Sequence, residues 1–264
     1  IASGEYGVET ARCFCGSAQS VPVTEKDRYG FDYQMCLCRD CGVMYASPRL
    51  TAESAATFYR NEYRKIYDSP TSTPTHVFAD GEHAGLSLKQ WLGEYEIAPR
   101  VVFDIGCNSG SWLKVFADDG ATVYGVDHDK TSVAYGQQRG VPVMEGGVEQ
   151  LEILGLKADL IILNHTVEHF LDLASELARI RSLLTPDGLL YVGVPGLYTW
   201  DLSVLFQNAH THQFTAETLA YVMECCGFEE FYLNEQIQSL WRLRPEPRSR
   251  EDRPKDQFDV IWHY

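Results

Sequence analysis

Five of the eight cysteines in this 264-residue chain fall within its first 41 positions. They form two short knuckles, Cys13-Phe14-Cys15-Gly16 and Cys36-Leu37-Cys38-Arg39-Asp40-Cys41-Gly42. Four thiolates at such spacing suit a closed tetrahedral zinc site, which supports structure and leaves no open position for chemistry. Cys13, Cys15, Cys38 and Cys41 are the expected ligands, with Cys36 a spare that can replace Cys38. The polar stretch between the knuckles predicts a hairpin. A segment with no core of its own has good reason to use a metal staple. A secreted disulfide scaffold would be shorter and richer in loops, so reduced thiols in a cytoplasmic setting are expected.

A second set of residues suits proton transfer. His165 and His169 share one segment, and His210 and His212 share another. Histidine is the side chain that titrates nearest neutral pH. His210 or His212 is the expected general base, with His165 as positioner or alternate base. His169 follows Glu168, a pairing that reads as a structural hydrogen bond before it reads as a metal site. Cys107, Cys225 and Cys226 have no evident base nearby and read as packing thiols.

These groups need elements to hold them. Residues 51–67 read as a helix with Thr51 as its N-cap and aromatics at Phe58, Tyr59, Tyr63 and Tyr67 on one face. Packing is the plain reading of that stripe; the sharper one is a lid that sets Tyr59 and Tyr63 over a ligand. Residues 68–75 read as a loop and mobile flap, and a second helix is expected from Glu82 to Tyr95. Strands are then expected at 101–105, 122–126, 159–163 and 189–194, with helices at 109–118, 130–139 and 172–184 between them. Such alternation predicts an α/β fold with a parallel sheet covered on both faces. A helix at 215–226 and strands near 228–233 and 237–243 follow. The tail from Arg244 is charged and proline-rich. The closing Phe258-Asp259-Val260-Ile261-Trp262-His263-Tyr264 reads as a final strand, or as an arm on a partner subunit that would make a homo-oligomer.

Residues 101–110 run from a strand into a glycine turn. Glycine lets a backbone approach a ligand, and the following helix start offers free N–H groups. The spacing here is Gly106-x-x-x-Gly110, with Cys107 and Asn108 inside it, and differs from the dinucleotide fingerprint. Asp104 stands at the mouth. A carboxylate repels a pyrophosphate and attracts a cation, which favours S-adenosylmethionine, with its ammonium and sulfonium, over NAD. Asp127, at the end of the next strand, suits the two ribose hydroxyls.

The segments FDIGCNSG, GVDHD, ADLIILNHTVEH, LLTPDGLLYVGVP and HQFTAETLAYVMECCGF occur in this order. Together they resemble class I S-adenosylmethionine-dependent methyltransferases over roughly residues 97–243. The N-terminal CGS, CxxCGVMYASPR and FYRNEY segments are similar to the zinc-ribbon preface of a subgroup that methylates sugars in antibiotic, capsule and lipopolysaccharide pathways. The resemblance implies a Rossmann-like, seven-stranded methyltransferase sheet with an N-terminal zinc ribbon and a helical lid. It implies domains at 1–50 (ribbon), 51–96 (lid or connector), 97–243 (methyltransferase) and 244–264 (extension). By position it places Asp104, Gly106, Cys107, Asn108 and Gly110 on the methionine side, Asp127 on the ribose, Val148 on adenine and Asn164 near the methionyl group. The acceptor it implies is a small molecule or glycan, most simply a sugar hydroxyl, amine or carbon. A quinone or natural-product acceptor is the first alternative, an NAD(P)-dependent oxidoreductase or epimerase the second, and a non-catalytic docking module the third.

Net charge is −15, so a phosphate backbone is a poor partner and no nucleic acid is expected. No apolar run approaches the length of a membrane span. The chain opens on Ile1, and a trimmed N-terminus is the expectation.

Overall fold

The computed structural model describes residues 6–67, 73–198 and 205–264. The flap expected at 68–75 lies mostly outside the described residues. The chain gathers into two compact units. One takes residues up to 58, 165–178 and 192 onward; the other takes 59–164 and 179–191.

The second of these units carries the central strands. They are β6 (Val101–Ile105), β7 (Thr122–Asp127), β8 (Val143–Glu145), β9 (Ala158–Asn164) and β10 (Leu184–Gly193), the last ending just past its boundary. The pairs β6–β7, β6–β9 and β7–β8 are parallel, with Asp104 level with Gly125 on one side and Ile162 on the other. Val102, Phe103, Leu160, Ile161 and Ile162 are all buried, as strands covered on both faces require. Two late strands, β12 (Phe228–Leu233) and β13 (Gln238–Leu243), pair antiparallel. The seven-stranded mixed sheet has the order β12-β13-β10-β9-β6-β7-β8. Strand order reverses around β6, and ligands bind beyond the carboxyl ends of strands at such a reversal.

Helix α3 (Pro74–Glu94) begins eight residues earlier than the helix expected from Glu82. Thr73 accepts from the amide of His76 as N-cap, and Pro74 opens the first turn, where its missing N–H costs nothing. A Cβ on Gly85 would sit 2.9 Å from the Trp112 backbone, so α3 lies close on α4 (Ser111–Asp118). The helix expected over 51–67 is two pieces, α1 (Ala52–Asn61) and α2 (Tyr63–Tyr67). α5 (Lys130–Gln138), α6 (Val148–Ile153) and α7 (Leu173–Leu183) complete the helices up to β10.

The other unit is built on a four-stranded sheet. Its strands are β2 (Ser20–Lys26), β3 (Asp32–Cys38), β4 (Met44–Ala46) and β11 (His212–Gln213), in the order β11-β4-β3-β2. β2 and β3 are the hairpin expected between the cysteine knuckles. The sequence carried no sign of β11: the segment with His210 and His212 becomes an edge strand, His212 opposite Tyr45 and Gln213 opposite Met44. A small strand pair, β1 (Val8–Glu9) with β5 (Arg49–Leu50), and helix α8 (Ala216–Cys225) belong to the same unit.

The C-terminal segment is corrected. It is not a strand but a helix, α9 (Gln257–His263). Phe258 and Ile261, three apart, share a face, and both pack into a cluster with Tyr33, Met35, Leu37, Met44 and Leu205. Gly42 at φ 75° allows the approach, since a Cβ there would meet the Gln257 backbone at 3.1 Å. Among the described residues, no helix is long and apolar enough to cross a membrane.

Candidate functional site

The turn after β6 is held from below. Gly106 and Cys107 both donate their amides to the Val126 carbonyl, and Gly110 donates to that of Cys107. Asp127 anchors the turn: one carboxylate oxygen accepts from the Asn108 amide at 2.7 Å, the other from the Asp129 amide at 2.8 Å. Gly106, Asn108 and Gly110 are all left-handed, at φ 76°, 53° and 72°. Asparagine tolerates that region, which explains its presence at 108. Gly110 admits no side chain, because a Cβ would lie 2.6 Å from Val143.

Asp104 sits behind this turn, 4% exposed. Burial, and then the charge of Asp127, push its carboxyl up to about 8. Burial, with Asp104 and Asp127, also raises the Cys107 thiol, so Cys107 is a packing group. Val148 is buried at the start of α6, and Asn164 ends β9, whose parallel neighbour is β6. The eight positions expected to hold a cofactor therefore share one unit and one sheet edge. Of the eight, Asn108 lines a cavity of about 370 Å³, together with Ser109, Asp129 and Tyr135 among others.

Tyr59, Tyr63 and Tyr67 pack in sequence in that unit, their rings tilted by 37° and 52° at centroid separations of 5.0 and 5.1 Å. Each is half-buried, and Phe58 is fully buried.

The histidines lie in the unit with the four-stranded sheet. His165 follows β9 at φ 52°, donating its amide to the Gly193 carbonyl at 2.7 Å. Its side chain is 46% exposed, with Nδ1 3.4 Å from Oε1 of Glu168. His210 and His212 are buried, and burial drives both imidazoles down to about 3. Nδ1 of His210 meets the Leu205 carbonyl at 2.8 Å. Nδ1 of His212 meets the Thr211 hydroxyl at 3.0 Å, and its ring stacks on Phe214. The rings of His169 and His210 pack edge to face at 4.9 Å.

Two residues that sequence reasoning undervalued organise this cluster. Tyr33 donates its hydroxyl to the His210 carbonyl at 2.7 Å. Glu168 is 1% exposed, and among the described residues neither of its carboxylate oxygens has a hydrogen-bond partner. Burial alone would raise this carboxyl, but the imidazoles of His165, His169 and His210 outweigh it and hold it below the usual glutamate range.

Cys13, Cys15, Cys38 and Cys41 come together, their sulfurs within 4.8 Å of one another and all four residues buried. Cys13 to Cys41 is 3.4 Å and Cys15 to Cys38 is 3.7 Å. Four sulfurs at zinc-bond length from a common centre stand about 3.8 Å apart, so the set fits a tetrahedral ion. Cys36 points elsewhere, to Gln34 and the Ser47 carbonyl.

A family model described as a methyltransferase domain matches residues 82–232, more than half of the chain. The chain belongs to this methyltransferase family and is an S-adenosylmethionine-dependent methyltransferase. A probable S-adenosylmethionine-dependent methyltransferase of Mycolicibacterium smegmatis is 27% identical over 178 residues, which cover 61% of this chain and 69% of that protein. A ubiquinone biosynthesis O-methyltransferase of a Methylobacterium species is 31% identical over 106 residues, 38% of this chain and 43% of that protein. The magnesium protoporphyrin IX methyltransferase of Synechocystis, solved with S-adenosylhomocysteine bound, shares the fold at a TM-score of 0.54 and 20% identity. It covers 72% of this chain and 98% of its own.

Proposed function

We propose that this enzyme methylates a sugar, nucleotide-linked or within a glycan, at a hydroxyl, amine or carbon. The observation that carries the cofactor end is Asp104. A buried carboxyl beside a second acid, at the mouth of a glycine turn, lacks only a cation. S-adenosylmethionine brings one in its ammonium and supplies the activated methyl group on its sulfonium. Asp127, braced by two amides, is the ribose acceptor, with Val148 at the adenine and Asn164 at the methionyl group.

The acceptor needs alignment and, for a hydroxyl, loss of a proton. We assign the proton to His165. It is half-exposed and has a carboxylate behind it, whereas His210 and His212 are enclosed and poor bases in this conformation. Tyr59 and Tyr63 are the proposed acceptor platform, and the four cysteines the proposed structural zinc site. The sugar class rests on the likeness of the ribbon segments to those of sugar methyltransferases. A quinone-type acceptor is the second reading, favoured by the identity to the ubiquinone enzyme.

Calorimetric titration with S-adenosylmethionine and S-adenosylhomocysteine, with NADH in parallel, tests the cofactor. Release of S-adenosylhomocysteine is then followed over nucleotide-sugars and polyprenyl-catechol analogues. Turnover on the sugar set supports the first reading and turnover on catechols the second. NADH binding alone would overturn both.

A further inference from the structure

Glu168, His169 and His210 each turn a metal-capable atom toward the others, all within 4.8 Å. Chain geometry brings them together from two segments: the 3₁₀ turn Val167–His169 after β9, and the stretch leading into β11. The Thr211 amide donates to the Glu168 carbonyl at 2.8 Å, and the Thr211 hydroxyl donates to the carbonyls of Glu168 and Phe170. The two segments are thus locked at the level of the cluster.

We propose that Glu168, His169 and His210 form a binding site for a divalent first-row transition-metal ion, separate from the cysteine site.

The donor set is chemically consistent. Nδ1 of His169 faces the Ala209 carbonyl at 2.9 Å, and Nδ1 of His210 faces the Leu205 carbonyl at 2.8 Å. A carbonyl only accepts, so each Nδ1 carries its proton and each Nε2 presents a lone pair. Metal-bound histidines are oriented in this way, with the outer ring nitrogen bonded to a backbone carbonyl. The Gln213 amide lies 2.8 Å from His210 Nδ1 and also donates to Leu205, so two donors converge on one carbonyl. Gln207 contacts His210 Nε2 and must give way to an ion.

Charge points the same way. Glu168 is enclosed, and among the described residues neither of its carboxylate oxygens has a hydrogen-bond partner. A buried carboxylate in that state is costly unless paired or bound to a metal. A divalent ion supplies the missing charge. Two imidazoles and one carboxylate suit iron, manganese, cobalt, nickel or zinc better than magnesium or calcium. Ligand atoms bound at about 2.1 Å stand roughly 3–4 Å apart, so small side-chain rotations close the site.

The test uses the full chain with its cysteine site filled with zinc. Mn²⁺, a poor thiolate partner, is titrated and its free signal followed by electron paramagnetic resonance. One saturable ion per chain is expected, with affinity falling roughly tenfold or more in Glu168→Gln and His210→Ala, and zinc content unchanged. Co²⁺ added to the wild type provides a second readout if either variant folds poorly. Visible ligand-field bands with no thiolate charge-transfer absorption support the site. Absence of saturable Mn²⁺ or Co²⁺ binding, or binding indifferent to both substitutions, overturns it. Neither readout involves S-adenosylmethionine, so failure here is distinguishable from failure of the methyltransferase chemistry.

Discussion

The Tyr33 hydroxyl bonds to the backbone carbonyl of His210 at 2.7 Å, joining residues 177 positions apart. The cysteine-knuckle hairpin thereby shapes the histidine segment directly, and the Ala46 amide adds a second tie at the Thr211 carbonyl. Tyr33→Phe should cost about 1 kcal/mol of stability. It should lower kcat while the KM for S-adenosylmethionine stays within about twofold. Steady-state kinetics beside urea melts checks this; a change confined to the cofactor KM would contradict it.

Loss of the proposed zinc from the four-cysteine cluster should act on the same segment. Cys38→Ser, or extraction with a thiol-selective chelator, should lower Tm and abolish turnover. Adenosyl binding should survive, because every residue assigned to it lies in the other compact unit. Calorimetry on zinc-depleted protein is the check.

Cofactor affinity should depend on pH through Asp104. Its carboxyl titrates near 8 in the folded protein, so below that value it is mostly protonated. A cationic ligand binds the ionised form, and binding therefore releases a proton. Affinity should rise with pH, by up to about tenfold per unit, and level off above about 8. Asp104→Asn should remove the slope. Calorimetry in buffers of different ionisation enthalpy counts the proton, and a flat profile from pH 6 to 8 would refute the assignment.

Removing the carboxylate in Asp127→Ala should weaken S-adenosylmethionine binding by about 2–3 kcal/mol, because it takes a ribose partner and the brace of the Asn108 amide together. The same loss with S-adenosylhomocysteine would show that the nucleoside half is affected.

His212 gives a stability signature. Its folded pKa, about 3, lies below the unfolded value of about 6.5. The neutral folded ring thus contributes stability that is full above 6.5 and declines as pH falls toward 3, by up to about 1.4 kcal/mol per unit. His210 behaves alike. Urea melts between pH 6.5 and 5 should lose part of this slope in His212→Asn.

Much of the sheet was readable because its strands are short apolar runs closed by glycine or acid, as at Val101–Ile105 and Thr122–Asp127. The cysteine set was readable because spacing alone carries a metal signature. Other features exist only through tertiary contact. β11 is two residues long and is defined by its partner Tyr45, so no periodicity marks it. α9 is a seven-residue stretch with four apolar side chains, too short for its period to separate strand from helix. The start of α3 was legible in principle, since Thr73-Pro74 is a cap followed by a first-turn proline, but the surrounding serines and threonines mimic a loop. The burial of Glu168 has no local signature at all: a carboxylate beside a histidine reads the same in water as in a core.

The boundary between the compact units is crossed four times, after residues 58, 164, 178 and 191. The chain cannot be divided there with a single cut. A fragment starting at Tyr59 would keep the glycine turn and its acids, yet strand His165–Ala178 and everything after Tyr191 without their N-terminal packing partners. The knuckle segment is therefore no detachable accessory. Removing residues up to 58 would disturb the histidine segments as well as the cysteine cluster, since all three stretches form one compact unit.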